Sequence, residues 1–312
     1  MSLFSQTKGP LLLRIRPTLV LCACCLFWAA LGALLGALAR HPVAGLLWGL
    51  ILGVFYTALG SLASEKFPLE AWGATLLGQH AAPNLYEMLH VLCGKADMEL
   101  PTLYSIARPE PNAFVVAGRD GMTAVVVTNG LTRHLAKDEV EAVMALMIAR
   151  LATGAMPGWT VAATLAGLPL FWGLGWAQKP RTAWLGTAVL CLFGPPAAGL
   201  AWLGWDAAVV TAADDHAAHL AEHPGALGSA LARIEAARDT GKDTEEGAPQ
   251  GGLIGNPATG LLFAAVPFAP PPGAPFPRRM TALFPARRPA AAERAAQLAA
   301  SPIGTPATPG DH

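Results

Sequence analysis

Charged side chains are scarce in this sequence. Only 13% of the 312 residues are Asp, Glu, Lys or Arg, with a formal net charge of +0, whereas 53% are hydrophobic. Ordinary soluble domains contain about 25% charged residues, so this composition is typical of a membrane protein. Lys and Arg form no continuous basic patch, which removes support for nucleic-acid binding.

The cysteines lack the pairing of a disulfide framework or of a zinc site. Cys22, Cys24 and Cys25 lie in one apolar run, Cys191 lies in another, and Cys93 is isolated in polar sequence. Cysteine in such a run mostly packs as a small hydrophobic residue. Reduced thiols fit a cytoplasmic polar part.

Long apolar runs are abundant. They cover residues 18–39, 42–63, 156–177 and 183–205. Each exceeds the roughly 18–20 residues that cross a hydrocarbon core. We therefore predict two transmembrane helices in the first pair of runs. The second pair could instead be a hairpin that is buried or partly inserted. Its last run contains Pro195 and Pro196, which a membrane helix tolerates where neighbouring groups satisfy the freed carbonyls.

The apolar runs divide the chain. We predict an N-terminal tail (1–17), two transmembrane helices (18–63), a first polar block (64–155), the hairpin (156–205), a second polar block (206–299) and a disordered tail (300–312). Neither block looks self-sufficient, so we expect the two to form one domain.

Basic residues predict the orientation of the chain. Three Lys or Arg residues lie between positions 8 and 16, whereas the first turn carries only Arg40. This asymmetry places the N-terminus and the polar blocks in the cytoplasm. Lys179 and Arg181 in the second turn favour the opposite orientation. We give the first pair more weight because it is inserted first.

The first polar block contains short strands and one capped helix. Residues 103–107 and 124–128 have the β-branched or aromatic enrichment of strands. Asp138 begins a helix, and Glu141 completes a capping-box-like pattern. Apolar residues between Val140 and Leu151 recur at helical spacing and predict a buried stripe, with Arg150 on a different face.

With its apolar runs, strands and capped helix in this order, the sequence resembles the HtpX-type membrane zinc metallopeptidases over most of its length. These are relatives of the CAAX prenyl protease group. The segments that carry the resemblance before and into the capped helix are residues 101–104, 109–114, 118–120, 127–131 and 135–143. Those after it are residues 213–214, 220–227, 256–259, 283–289 and 293–294. The resemblance implies a mainly α membrane protein with a minor α+β part. Four transmembrane or membrane-inserted helices would accompany a split cytoplasmic zincin-like domain.

Catalysis in that family depends on His-Glu-x-x-His, in which two imidazoles bind zinc and the Glu acts as general base. Transferred by position, the first His falls on Leu146, the Glu on Met147 and the second His on Arg150. The third ligand, a glutamate, falls on Val210, and a further C-terminal histidine falls on Arg288. None of these side chains holds zinc through nitrogen or activates water. The resemblance therefore implies that no catalytic residue is intact and that no zinc is bound.

Other residues offer a weaker metal site. His216 and His219 are three positions apart and close to Asp215. This spacing can bind a metal on a helix. We favour the simpler interpretation, a polar helix face exposed to the cytoplasm.

Arg150 needs a partner, because an unpaired buried charge is very costly. Asp214 is the family carboxylate that survives, and its expected family role is to orient a ligand histidine. We predict that Arg150 pairs with Asp214, replacing the zinc charge and joining the two polar blocks. The alternative is that Arg150 extends to water or lipid headgroups.

The predicted function is that of a catalytically inactive homologue, a pseudoprotease without cofactor. It would bind or scaffold membrane proteins or an active membrane protease in protein quality control, in a bacterial inner membrane. The alternative is an active membrane metalloendopeptidase that binds zinc through non-standard ligands. A channel or transporter is disfavoured because the apolar runs contain essentially no interior ionisable residues.

Overall fold

The computed structural model describes residues 11–118, 120–204, 207–221, 223, 225–240, 258–265, 293–294 and 296–297. Its helices are α1 (Leu11–Leu38), α2 (Pro42–Ala63), α3 (Phe67–Ala71), α4 (Pro83–Ala96), α5 (Asn129–His134), α6 (Lys137–Ala152), α7 (Met156–Ala177), α8 (Ala183–Gly204), α9 (Ala207–Leu220) and α10 (Ala226–Thr240). Its strands are β1 (Thr75–Leu76), β2 (Thr102–Ile106), β3 (Ala113–Ala117) and β4 (Thr123–Thr128). The predicted fold class, mainly helical with a small sheet, is confirmed.

Four helices are long and apolar enough to cross a membrane. These candidate spans are Pro17–Leu38, Pro42–Ala63, Met156–Ala177 and Ala183–Leu203. The outer surface of α2 exposes large apolar side chains, including Trp48, Ile51 and Phe55. Such a surface is stable against lipid, and the chain is an integral membrane protein.

Glycines bring α1 and α2 into close contact. A Cβ atom added to Gly32 would lie 2.3 Å from the carbonyl oxygen of Gly45, and one added to Gly45 would lie 2.3 Å from the carbonyl oxygen of Gly32. Gly36 and Gly49 extend the same seam. Small residues let membrane helices approach to backbone contact, which gives the dispersion attraction that holds them together in lipid.

A tyrosine hydroxyl replaces a backbone hydrogen bond that proline removes from α7. Pro169 lies inside α7 and has no N–H to donate to the carbonyl oxygen of Leu165, four residues earlier. The Tyr56 hydroxyl of α2 donates to that oxygen at 2.6 Å. The hydrogen bond therefore joins the two helical hairpins while it satisfies a polar group within the membrane bundle.

The sheet has strand order β1-β2-β4-β3. β2 and β4 are parallel, with Tyr104 opposite Val126, and β3 is antiparallel to β4, with Val115 opposite Val125. The predicted strands correspond to β2 and β4. β3 is an edge strand of the sheet, yet its five residues are all buried. Other parts of the chain therefore cover this edge.

The capped helix of the prediction is α6, but it begins earlier than expected. The Ala136 N–H donates to Oε2 of Glu139 at 2.9 Å, so Glu139 provides the cap instead of the predicted pair Asp138 and Glu141. Alanine has no side-chain acceptor, so only the glutamate half of a capping box can form. From Val143 to Leu151 every residue is buried. The helix therefore lies in the core on all sides.

Candidate functional site

The site positions lie on two packed helices, α6 and α9. Leu146, Met147 and Arg150 are on α6, and Val210 and Asp214 are on α9. Leu146, Met147 and Val210 are fully buried, and only 2% of Arg150 and 3% of Asp214 are exposed. The two polar blocks do meet at the positions that the resemblance assigns to catalysis.

These residues do not fit a zinc ion. Leu146 and Val210 offer only hydrocarbon, and the Met147 thioether is a soft, neutral group that cannot serve as a general base. Burying a leucine stabilises a fold by about 1.5–3 kcal/mol, so Leu146 contributes to packing where an imidazole would serve a metal. Among the described residues, no group of three or more His, Cys, Asp or Glu side chains is arranged to hold a metal ion.

Arg150 binds backbone carbonyls. Its Nη1 donates to the carbonyl oxygens of Leu262 at 3.1 Å and Phe263 at 2.7 Å, and its Nη2 reaches that of Ala264 at 3.5 Å. Among the described residues, its Nε has no hydrogen-bond partner. Burial, reinforced by the charge of Arg294 and opposed by Asp214, lowers the pKa of Arg150 to about 9. The guanidinium therefore stays protonated at neutral pH.

Asp214 pairs with Arg294, a residue of the C-terminal part of the chain. Nε of Arg294 donates to Oδ2 at 2.7 Å, and Nη2 donates to Oδ1 at 2.5 Å. Its remaining nitrogen, Nη1, donates to the carbonyl oxygen of Ala264 at 2.9 Å. Only 2% of Arg294 is exposed, so this bidentate pair is buried.

The predicted ion pair between Arg150 and Asp214 is therefore wrong. Both carboxylate oxygens accept from Arg294, whose planar guanidinium matches them in two parallel hydrogen bonds. Arg150 still feels the charge of Asp214, but its direct partners are carbonyl oxygens. The alternative, extension of Arg150 to water or headgroups, is also wrong because the side chain is buried.

Counted over the described residues, the cluster carries an excess of positive charge. Arg150 and Arg294 supply two cations, and Asp214 supplies one anion at direct contact. The carbonyl oxygens of residues 262–264 provide the remaining compensation, since each accepts at least one guanidinium hydrogen bond. Buried cations are tolerated only when paired or hydrogen-bonded in this way. The arrangement ties α6, α9, residues 262–264 and Arg294 into one structural unit.

The histidines of α9 do not converge on a site. His216 is half-buried, whereas His219 and Asp215 are exposed. Burial, reinforced by His219, lowers the pKa of His216. His219 and His223 also have His-x-x-x-His spacing, but α9 ends at Leu220 and His223 lies beyond the helix. The two therefore do not share a helix face.

Arg294 is the functional residue that sequence reasoning missed. In the sequence it stands beside Glu293, and no local pattern marks it as the partner of Asp214, which lies 80 residues earlier. The position assigned to a C-terminal histidine, Arg288, lies outside the described residues, as does the rest of the segment 283–289.

Comparison with known proteins agrees with this architecture. The profile of peptidase family M48 matches residues 79–300, which include the sheet strands β2 to β4 and the helices α6 and α9. No solved structure matches the chain.

Curated relatives are similar over most of their length. A protease HtpX homolog of Acaryochloris marina (strain MBIC 11017) is 31% identical over 256 residues, which cover 77% of this chain and 84% of the relative. The homolog of Trichormus variabilis (strain ATCC 29413 / PCC 7937) is 32% identical over 225 residues, 67% and 78% of the two chains. That of Thermococcus kodakarensis (strain ATCC BAA-918 / JCM 12380 / KOD1) is 29% identical over 230 residues, 70% and 76% of the two chains. The chain therefore belongs to peptidase family M48, a family of zinc-dependent peptidases, as a membrane protein of the HtpX type.

Proposed function

We propose that this chain is a non-proteolytic member of family M48, which acts by binding membrane proteins. The proposal rests on the burial and the contacts of the side chains at the four positions where the resemblance places the zinc ligands and the general base. Leu146, Met147 and Val210 are packed without exposure, and Arg150 is committed to carbonyl oxygens. Helix α6 therefore serves the stability of the fold where an active relative would hold its zinc.

The chemistry of peptide hydrolysis supports the same proposal. A metallopeptidase attacks the peptide bond with a water molecule that is activated by a metal ion and a base of suitable pKa. Met147 cannot take a proton near neutral pH, and the guanidinium of Arg150 would repel a metal cation. Asp214, the one acidic side chain that the described residues bring to the site, has both oxygens engaged by Arg294.

The partner class follows from where the chain lies. Four apolar helices place it in a bilayer, and the partners that we propose are other membrane proteins, active membrane proteases among them. The basic residues before the first span favour a cytoplasmic position for α4 to α6 and the sheet, as in a bacterial inner membrane. We therefore propose a role as a binding or scaffolding partner in membrane-protein quality control.

Hydrolysis of an unfolded protein tests the proposal. The full chain, purified in detergent without metal-affinity steps, is incubated with casein, with and without a chelator. We expect no chelator-sensitive cleavage by the wild-type protein. The matched variants His216→Ala, His219→Ala and His223→Ala examine the alternative, a peptidase with non-standard ligands. Chelator-sensitive cleavage that any of these substitutions abolishes would establish that alternative and overturn the proposal.

Crosslinking in native membranes tests the binding role. The full chain is crosslinked before solubilisation and recovered by an affinity tag that binds no metal. We expect specific membrane proteins to be recovered with the wild-type chain. Recovery of the same proteins with an unrelated four-helix membrane protein of equal abundance would remove support for specific binding.

A further inference from the structure

The outer edge of strand β3 is occupied by the chain itself. Phe114 of β3 and Phe263 form an antiparallel bridge, and the Ala264 N–H donates to the carbonyl oxygen of Ala113 at 2.7 Å. We call residues 262–265 the edge segment. It begins at the last residue of a 3-10 helix (Thr259–Leu262), and its residues 263–265 lie beside β3 on the side away from β4.

A side-chain amide continues the pairing past the end of β3. Nδ2 of Asn112 donates to the carbonyl oxygen of Ala265 at 2.9 Å, and the Ala265 N–H donates back to Oδ1 at 3.4 Å. Asn112 thus presents one donor and one acceptor, as a strand residue would. Its backbone is fixed by Thr128, whose hydroxyl bonds both its N–H and its carbonyl oxygen.

The far side of the edge segment is also closed. Arg150 and Arg294 donate to the carbonyl oxygens of residues 262–264, so these oxygens do not face solvent as a free strand edge. The Phe263 ring lies 4.5 Å from that of Phe114 and 4.6 Å from that of Trp72, measured between centroids. The edge segment is held by backbone, guanidinium and aromatic contacts together.

A free strand edge beside a buried helix is a place where an extended polypeptide adds as one more strand. We propose that the edge segment permanently covers the outer edge of β3. By covering it, the segment prevents extended polypeptides from binding to the surface next to α6. Partners of this protein then bind to other surfaces. This inference rests on the contacts of residues 262–265 and holds whether or not the chain has lost zinc chemistry.

Release of the edge segment tests the inference. Ala264→Pro removes the N–H that bonds Ala113, and Asn112→Leu removes both side-chain bonds to Ala265. Thr75→Ala is the matched control, since it removes two hydrogen bonds with Ser105 at β1, the opposite edge of the same sheet. Each full-length protein is titrated with fluorescein-labelled, reduced and carboxymethylated casein, a permanently unfolded probe, and fluorescence anisotropy is recorded.

We expect the wild-type protein and Thr75→Ala to show no saturable casein binding, and the two release variants to bind at least about ten-fold more tightly. Equal affinity of the wild-type protein and a folded release variant would overturn the inference, whether both bind or neither does. If the release variants do not fold, hydrogen exchange of the wild-type protein decides. Residues 262–265 should exchange as slowly as β4, and exchange at the rate of exposed backbone would overturn the inference.

Discussion

The membrane helices and the site helices both satisfy carbonyl oxygens with side chains, and they use different chemistry to do so. In the membrane bundle, the neutral Tyr56 hydroxyl bonds the oxygen that Pro169 leaves free. At the site, the charged Arg150 bonds the carbonyl oxygens of residues 262 and 263. A neutral donor needs no counter-charge, which suits hydrocarbon, whereas a buried guanidinium needs one nearby.

The comparison explains why the site cannot be altered one residue at a time. Arg150 and Arg294 share the carbonyl oxygen of Ala264, and Arg294 holds both oxygens of Asp214. Removing one member leaves the others buried with incomplete partners. The membrane contact between Tyr56 and Leu165 is one isolated bond, so its loss has a local and smaller effect.

The largest effect is expected at the carboxylate. Asp214→Asn removes the anion and leaves the buried guanidiniums of Arg150 and Arg294 without a counter-charge from the described part of the chain. Breaking a buried ion pair in this way costs about 3–5 kcal/mol. We expect a large drop in Tm of the full chain in detergent, measured by intrinsic fluorescence. Asp215→Asn is the control on the exposed neighbouring residue and should leave Tm unchanged. Equal Tm values for the two variants would show that the carboxylate is not part of a buried cluster.

A smaller effect is expected at Arg150. Arg150→Met removes the donors to the carbonyl oxygens of residues 262 and 263 but also removes the excess buried cation. An unsatisfied buried acceptor costs about 1–3 kcal/mol, so we expect a loss of roughly 2–3 kcal/mol. Denaturant unfolding in detergent measures it. Arg133→Met, at an exposed arginine of α5, should change stability by about 0.5 kcal/mol or less. A stability loss at Arg150 no greater than that at Arg133 would contradict the carbonyl contacts.

The sequence predicts the features that depend on neighbouring residues, but not the contacts between residues that are far apart along the chain. The spans, α6, β2 and β4 follow from local periodicity and composition. The partner of Asp214 does not, because Arg294 lies 80 residues away in sequence and α6 supplies another arginine close by. The carbonyl partners of Arg150 lie 112 residues or more from it, and backbone acceptors have no residue signature. Neither Leu146 nor Met147 has an imidazole or a carboxylate, which the sequence alone tells; their complete burial is visible only in the structure.

In the membrane bundle, we expect a modest loss of stability when the Tyr56 hydroxyl is removed. Tyr56→Phe keeps the ring but leaves the carbonyl oxygen of Leu165 without its donor. Side-chain hydrogen bonds between membrane helices contribute about 0.6 kcal/mol on average and up to about 1.7 kcal/mol. Unfolding in mixed micelles measures the change. Tyr104→Phe is the control, since the Tyr104 hydroxyl makes no hydrogen bond with any of the described residues. A loss at Tyr56 as large as that of Asp214→Asn would remove the distinction between the two regions.

The smallest effect concerns pH. Burial and His219 lower the pKa of His216 below its ordinary value of 6.5 in the folded protein. The unfolded chain therefore binds more protons near and below pH 6.5, so this contribution to stability is complete above that pH and is lost as pH falls through the lowered pKa. We expect Tm to fall more between pH 7 and pH 5 for the wild-type chain than for His216→Gln. Identical pH profiles of the two proteins would contradict the lowered pKa.

The measurement that tests the central claim most directly is the metal content of the full chain, purified from cells grown with zinc and analysed by inductively coupled plasma mass spectrometry. The account predicts zinc far below one ion per chain, because Leu146, Met147, Arg150 and Val210 leave no ligand set between α6 and α9. One tightly held zinc per chain, lost on mutation of the α9 histidines, would contradict it.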